Sequence, residues 1–457
     1  MIEYDLVIVG AGSGNMLPMA EIDGLRVAIV ERDRFGGTCL NRGCIPSKML
    51  AHTADIAETV RTAGRYGINA ELLGADWPAI RDRVFTRLDR HAADGLVYRR
   101  GSGVDVYLGE ARFVAPRVLE VGGEQLRGEH VILAAGARPV VPQIPGLADV
   151  AFHTTDTIMR VDARPASMVI IGGGPGATEL GHVFAAFGTA VTIVEKESVL
   201  LAILDDDIAQ RFTDGCAHRF DLRCSTTVTS VERTADGVAV HLAGENPGVV
   251  HAEVLLIAVG RTPNTDVLEV AAGGVEVDAR GRVVTDEYLA TNVPGVWAIG
   301  DLTNHVQLKH LANAQMHLAV HNVLHPKDAR PGHFPVVPAA VFADPQVATA
   351  GPTERALREQ GASFVVARRD YARTAFGWAT EDTTGFVKLI ADPATRRLLA
   401  AHIVGPQAAA LLQPLVQGIY LDNTIDQLAH DVLYLHPSPS EVVAQALLEL
   451  TGVGCEA

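Results

Sequence analysis

Cys39 and Cys44 are the closest pair among five cysteines and sit in Gly36-Gly37-Thr38-Cys39-Leu40-Asn41-Arg42-Gly43-Cys44-Ile45-Pro46-Ser47-Lys48. On a regular helix, residues five apart have Cα atoms about 8–9 Å apart, beyond the roughly 4.4–6.8 Å that a disulfide spans. A bridge therefore needs a distorted backbone, which Gly43 and Pro46 can supply. A strained, short-loop disulfide is easily reduced and stabilises little, so it suits a catalytic couple better than a staple. The spacing alone also admits half of a zinc site, which would need two further ligands, or two unconnected thiols.

A second constellation lies near the end of the chain, in His436-Pro437-Ser438-Pro439-Ser440-Glu441. The prolines fix the approach to a helix, and Glu441 five residues on could orient the imidazole for proton transfer. A lone loop histidine is otherwise a packing residue.

The elements that position these groups announce themselves as a repeat. Tyr4 to Val9 is an apolar run ending in Gly10-Ala11-Gly12-Ser13-Gly14-Asn15, and Val27 to Val30 is a second run closed by Glu31. Met168 to Ile171 ends in Gly172-Gly173-Gly174-Pro175-Gly176-Ala177, and Val191 to Val194 is closed by Glu195. Each predicts strand, glycine turn, helix, strand, acid, with the acid at about the 20-residue distance of a nucleotide-binding βαβ unit. Glycines let a pyrophosphate approach the helix N-terminus, and the carboxylate takes ribose hydroxyls. Asn15 stands where the third glycine of the first fingerprint belongs, which puts tight helix–strand packing there in question.

A polar, helical stretch runs from His52 to Arg99, followed by short strands at 104–106 and 112–114. Val131 to Gly136 reads as a buried strand returning to the first sheet, and Val296 to Asp301 reads as a second return. The second nucleotide unit is thus expected as an insertion into the first domain. From about Pro335 strand-like segments at 364–367 and 386–390 precede helices around 408–417 and 441–450, an α+β pattern.

The length of 457 residues suggests about three domains. A net charge of −16 disfavours nucleic acid and anionic membrane surfaces. No apolar run reaches the roughly 20 residues of a membrane span, and the acidic Met1-Ile2-Glu3-Tyr4-Asp5 start is wrong for a signal peptide. A cytoplasmic protein is expected, and so few, unevenly spaced cysteines fit a reducing compartment.

The cysteine segment, with both glycine units and the terminal His-Pro, resembles the class I flavoprotein disulfide reductases over essentially the whole chain. The resemblance implies an α/β fold of two Rossmann-like domains, for FAD and NAD(P), the second inserted in the first, plus a C-terminal α+β dimerisation domain. The expected bounds are 1–147 and 265–334 for the FAD-binding part, 148–264 for NAD(P)H and 335–457 for dimerisation. It implies that Cys44 lies against the flavin as the charge-transfer thiolate and that Cys39 attacks the substrate disulfide. Lys48 would sit near the reactive end of the flavin, paired with Glu179. His436 of the partner subunit, held by Glu441, would shuttle the proton, so a homodimer is required.

For FAD the resemblance implies Gly10, Gly12, Ser13, Gly14, Asn15, Gly37 and Thr38 at the phosphates, and Glu31 at the adenosine ribose. Glu110 and Ala111 fall at the adenine edge, Ala135 and Gly136 on the returning strand, and Gly300 and Asp301 at the ribityl chain. Leu308, Lys309, Leu311 and Ala312 open the helix that faces the flavin pyrimidine. For the nicotinamide nucleotide it implies Gly172, Gly174, Pro175, Gly176, Glu179, Glu195, Lys196, Gly260 and Arg261. Glu195 would accept a free ribose 2′-hydroxyl and favours NADH, whereas Lys196 and the habit of the most similar subgroup favour NADPH. No metal is expected.

Several further stretches resemble one subgroup that reduces a low-molecular-weight thiol disulfide. They are 12–15 with its asparagine, 102–107, 308–313, 337–346 and 378–388. The rival readings are dihydrolipoamide dehydrogenase of a 2-oxoacid dehydrogenase complex and, from another class, a non-catalytic FAD-binding partner. Cys216 and Cys224 are expected to be buried spectators. Cys455 is expected to be a frayed terminal thiol, because no second cysteine accompanies it.

Overall fold

The structure is a computed structural model, described over residues 1–452. The chain forms two compact units. The first comprises Met1–Met49, Ala79–Val140 and Gly260–His333; the second comprises Leu50–Pro78, Val141–Val259 and the chain from Phe334 onward.

The first unit is organised by six strands: β1 (Ile2–Val9), β2 (Val27–Glu31), β3 (Asp105–Leu108), β4 (Ala111–Ala115), β5 (Val118–Val121) and β6 (Glu124–Leu133). β1 is central and parallel to both neighbours, with Val9 opposite Val30 of β2 and Leu133 of β6. β3 extends the sheet beyond β2, and β5 and β4 continue from the first half of β6. The expected return strand, Val296–Ala298, pairs parallel with the end of β6. Alternate residues of β1 enter opposite clusters: Val7 and Val9 join Phe113 and Leu119, while Leu6 and Ile8 join Met316 and Val320. Burial on both faces explains why the strand reads as a continuous apolar run.

The helix expected after the first glycine turn does not form. Only a three-residue 3-10 turn, Ser13–Asn15, is present before β2. Pro18 and Gly24 interrupt the segment, and its apolar residues Leu17 and Ile22 are buried from turns. The question of helix packing at Asn15 therefore does not arise. The long polar helical stretch is also broken: α1 (Gly37–Asn41), α2 (Cys44–Thr62) and α3 (Trp77–Gly101) are separate, with residues 67–76 irregular.

In the second unit the parallel order is Asp221–Arg223, Ala190–Val194, Ser167–Ile171, Val254–Ile257, His153–Thr154. Here the glycine turn does open a helix, Pro175–Ala186, with proline in its first turn and no proline or φ-positive glycine inside it. The C-terminal part is an antiparallel five-stranded sheet over residues 339–404, packed with helices Ala408–Tyr420 and Ser440–Thr451 in one apolar cluster. The strand and helix pattern expected beyond Pro335 is present.

Candidate active site

The backbone between the two cysteines is broken where the sequence places glycine. α1 ends at Asn41, Arg42 takes φ −154, and α2 begins at Cys44. A Cβ on Gly43 would lie 3.1 Å from the Thr38 carbonyl oxygen and 3.4 Å from the Cys39 Cα. The fold in the backbone brings the Cys39 and Cys44 thiols into hydrogen-bond contact, and both are free thiols. That contact, followed by burial, holds the Cys39 thiol well above the ordinary range, and Lys309 acts against it. Two adjacent sulfurs cannot both carry charge cheaply, and the contact favours the protonated form of Cys39.

Lys309 begins the Lys309–Leu324 helix, with Leu308 as its N-cap and Leu311 and Ala312 buried behind it. Burial pulls the Lys309 ammonium below its usual range, opposed by Cys39, Cys44 and Asp301. Burial also raises the Asp301 carboxyl, opposed by Arg261 and Lys309. Gly300 is tied to this helix by Gln315, whose Oε1 accepts from the Gly300 N–H at 2.9 Å. Arg261 donates to the Ala137 carbonyl at 2.7 Å, and the Gly260 carbonyl accepts from the Val140 N–H at 2.9 Å.

The glycine turns pack backbone against backbone more closely than any side chain would permit. A Cβ on Gly37 would sit 2.5 Å from the Gly12 Cα, and one on Gly10, whose φ is +107, 2.3 Å from the Ala134 carbonyl. Glu31 accepts from the Ala11 N–H at 2.8 Å and the Asp33 N–H at 3.0 Å. Glu195 repeats this, accepting from the Gly173 N–H and, at 2.9 Å, from the Glu197 N–H. In each unit the strand-terminal acid is thus latched to the residue after the first glycine. Gly172, also at φ +107, and Gly174, Pro175 and Gly176 bring the chain into a helix whose first turn has no side-chain cap. Both turns offer side-chain-free backbone to the pyrophosphate of a dinucleotide, and the second adds a helix N-terminus.

The remaining expected FAD residues cluster on the first unit. Gly109 donates to the Glu31 carbonyl at 2.8 Å, which brings Glu110 and the buried Ala111 beside the end of β2. Asn264 donates to the Ala135 carbonyl at 2.8 Å and fixes the Gly136 turn through its own N–H. Thr38 lies in α1, and Ser13 and Gly14 in the 3-10 turn. Lys48 follows Cys44 by one helical turn on α2, in the first unit, whereas Glu179 belongs to the second and accepts from the Phe342 N–H at 2.9 Å. Lys196 is exposed and pairs with Glu197 at 3.4 Å.

His436 and Glu441 meet as their spacing suggests: Nδ1 lies 3.1 Å from Oε1, with the imidazole exposed and the carboxylate largely buried. Cys216 is fully buried, which pushes its thiol up to about 12. Cys224 is a correction, being only partly buried, though burial raises it too. Cys455 lies outside the described residues. Sequence reasoning missed Arg99, Asn264, Gln315 and Lys388, each of which acts through a partner distant in the chain.

Residues 4–317 match the pyridine nucleotide-disulphide oxidoreductase family, and residues 337–447 match that family's dimerisation domain. Mycothione reductase of Mycobacterium tuberculosis is 41% identical over 98% of this chain and 100% of its own. Dihydrolipoyl dehydrogenase of Chlamydia muridarum is 30% identical over 97% and 96%. Among solved structures, the Cu(II) complex of the HOCl-induced flavoprotein disulfide reductase RclA from Escherichia coli superposes with a TM-score of 0.85. Its identity is 28%, with 98% and 99% of the two chains covered.

Proposed function

The chain belongs to the pyridine nucleotide-disulphide oxidoreductases, enzymes that use FAD and NAD(P)H, and on that premise we propose that it reduces mycothiol disulfide to mycothiol. The observation that carries the disulfide chemistry is the contact between the Cys39 and Cys44 thiols across the break between α1 and α2. The choice of substrate rests on the full-length 41% identity to mycothione reductase. The resemblances at 12–15, 102–107, 308–313, 337–346 and 378–388 point to the same subgroup.

Bound FAD supplies two-electron transfer from the nicotinamide to the Cys39–Cys44 disulfide. Cys39 then attacks one sulfur of the substrate, forming a mixed disulfide and releasing one thiol. Cys44, charged at the start of α2, attacks the Cys39 sulfur, releases the second thiol and restores the intramolecular disulfide. Because Cys39 holds its proton tightly, attack requires a base. His436 of the partner subunit takes that role and returns the proton to the departing thiolate, while Glu441 fixes the imidazole tautomer. Lys48 and Lys309 bring positive charge to the thiolate side.

The residues 1–147 and 265–334 would form the FAD-binding part, 148–264 the nicotinamide part and 335–457 the dimer-forming part. The enzyme would act as a cytoplasmic homodimer on a small-molecule disulfide, with no nucleic-acid or membrane partner; no helix among the described residues is long and apolar enough to cross a membrane. A second reading, dihydrolipoamide oxidation with NAD, is supported by the Chlamydia relative and by Glu195. The purified yellow protein, assayed with mycothiol disulfide, glutathione disulfide and lipoamide, separates the two. Turnover confined to mycothiol disulfide is expected, and turnover with lipoamide alone would overturn the reading.

A further inference from the structure

The segment that replaces the missing first helix meets the far end of the Lys309–Leu324 helix in a cluster of metal-ligating groups. His321 and His325 are one turn apart, their ring centroids 4.9 Å apart and their planes at 44°. One nitrogen of each ring and one carboxylate oxygen of Glu21 lie within 4.8 Å of one another.

The surroundings of the cluster prepare it. His321 Nε2 lies 3.0 Å from the Asp328 carbonyl and 3.4 Å from its carboxylate. A carbonyl only accepts, so Nε2 carries the proton and Nδ1 is the nitrogen left for a metal, the arrangement that orients histidine ligands elsewhere. Asp328 is held in place by its loop. Asn322, buried in the same helix, donates to the Tyr288 and Arg330 carbonyls and accepts from the Arg330 N–H. The position of Glu21 is set by its neighbour Ile22, which is buried in one cluster with Val320 and Val323. The helix C-terminus adds partial negative charge beside a cation.

We infer that Glu21, His321 and His325 bind a divalent transition-metal ion of the zinc class, with solvent completing its coordination. Two imidazoles and one carboxylate form a zinc-type donor set, and two nitrogen donors out of three disfavour magnesium and calcium. Bonds of about 2.0–2.2 Å put tetrahedral donors roughly 3.3–3.5 Å apart. The exposed Glu21 side chain closes the remaining gap by rotation. The site is remote from the cysteines: His321 is twelve residues beyond Lys309, about 18 Å along the helix at 1.5 Å per residue. Its effect is to staple residues 16–26 to the helix that carries Lys309.

The test is calorimetric titration of the FAD-loaded, oxidised enzyme with Zn2+, the Cys39–Cys44 disulfide being closed so that its thiols do not compete. One Zn2+ per chain is expected, with a rise in Tm that Mg2+ and Ca2+ do not reproduce. His325→Ala and Glu21→Gln, both at exposed positions, should each weaken binding at least about tenfold while leaving the flavin spectrum unchanged. Absence of saturable Zn2+ binding, or equal affinity in His325→Ala and the parent, would overturn the assignment.

Discussion

The Arg99 guanidinium donates from Nε to Oδ1 of Asn15 at 2.7 Å and from Nη2 to the Asn15 carbonyl at 2.8 Å. Burial pulls Arg99 below its ordinary range, and only 4% of the residue is exposed. A fingerprint that lacks its helix therefore has a buried cation behind its last residue, reached from α3. Asparagine at position 15 is explained by this partner, since glycine has no oxygen on its side chain to accept the bond.

Replacing Arg99 by methionine keeps much of the volume and leaves both Asn15 oxygens without this donor. Asn15 is half-buried, so losing this partner costs at most the penalty of a fully buried acceptor, about 1–3 kcal/mol. We expect the Arg99→Met apoprotein to bind FAD at least about tenfold more weakly in a fluorescence-quenching titration. Unchanged affinity would remove Arg99 from the FAD-binding account.

Much of this arrangement was legible in sequence, and what was not has a physical cause. The strands of both glycine units, the terminal acids and the His436–Glu441 pair depend on local spacing, which the chain displays directly. Pro18 and Gly24 are the local marks of the missing first helix, whereas the glycine fingerprint before them points to one. Arg99 and Asn15 are 84 positions apart, and Gln315 reaches Gly300 from another element. No local pattern marks such pairs, because the fold, and not the spacing, brings them together.

Lys309 favours the thiolate form of the cysteine pair by charge attraction. Without it the thiolate loses stabilisation and the thiol pKa rises. In the reduced Lys309→Met enzyme, the pH midpoint for alkylation by iodoacetamide should move upward by roughly one unit. A midpoint that stays put or moves down would contradict the electrostatic link.

Lys388 is buried among three carboxylates, Asp205 at 2.8 Å, Asp207 at 2.7 Å and Glu354 at 2.6 Å. Burial pushes Asp205 up, yet its bond to Lys388 and the Glu354 N–H hold it below the usual carboxylate range; Glu354 is lowered mainly by Lys388. Folded-state values below the unfolded ones mean that this stability is present above about pH 4 and is lost as pH falls through the lowered values. Lys388→Met leaves Asp205 buried and unpaired, so urea unfolding at pH 7 should show a loss of about 3–5 kcal/mol. The variant's deficit should shrink toward pH 3, and a deficit independent of pH would argue against the ion cluster.

Glu195 accepts two backbone N–H bonds, and the acid that closes the second strand of a nucleotide-binding βαβ unit is the group that meets the ribose 2′ position. Its charge predicts a lower KM for NADH than for NADPH. Glu195→Ser should narrow that difference by lowering the KM for NADPH, with kcat little changed. A wild-type preference for NADPH would contradict this reading of Glu195.

In the proposed mechanism electrons leave the protein through Cys39 and Cys44. Steady-state reduction of mycothiol disulfide by the FAD-loaded Cys39→Ser and Cys44→Ser enzymes tests it most directly, with the flavin spectrum as a check on folding. Turnover is expected to fall at least about a thousandfold in both, because losing Cys39 removes the mixed disulfide and losing Cys44 removes the internal disulfide that resolves it. Full turnover in either variant would contradict it.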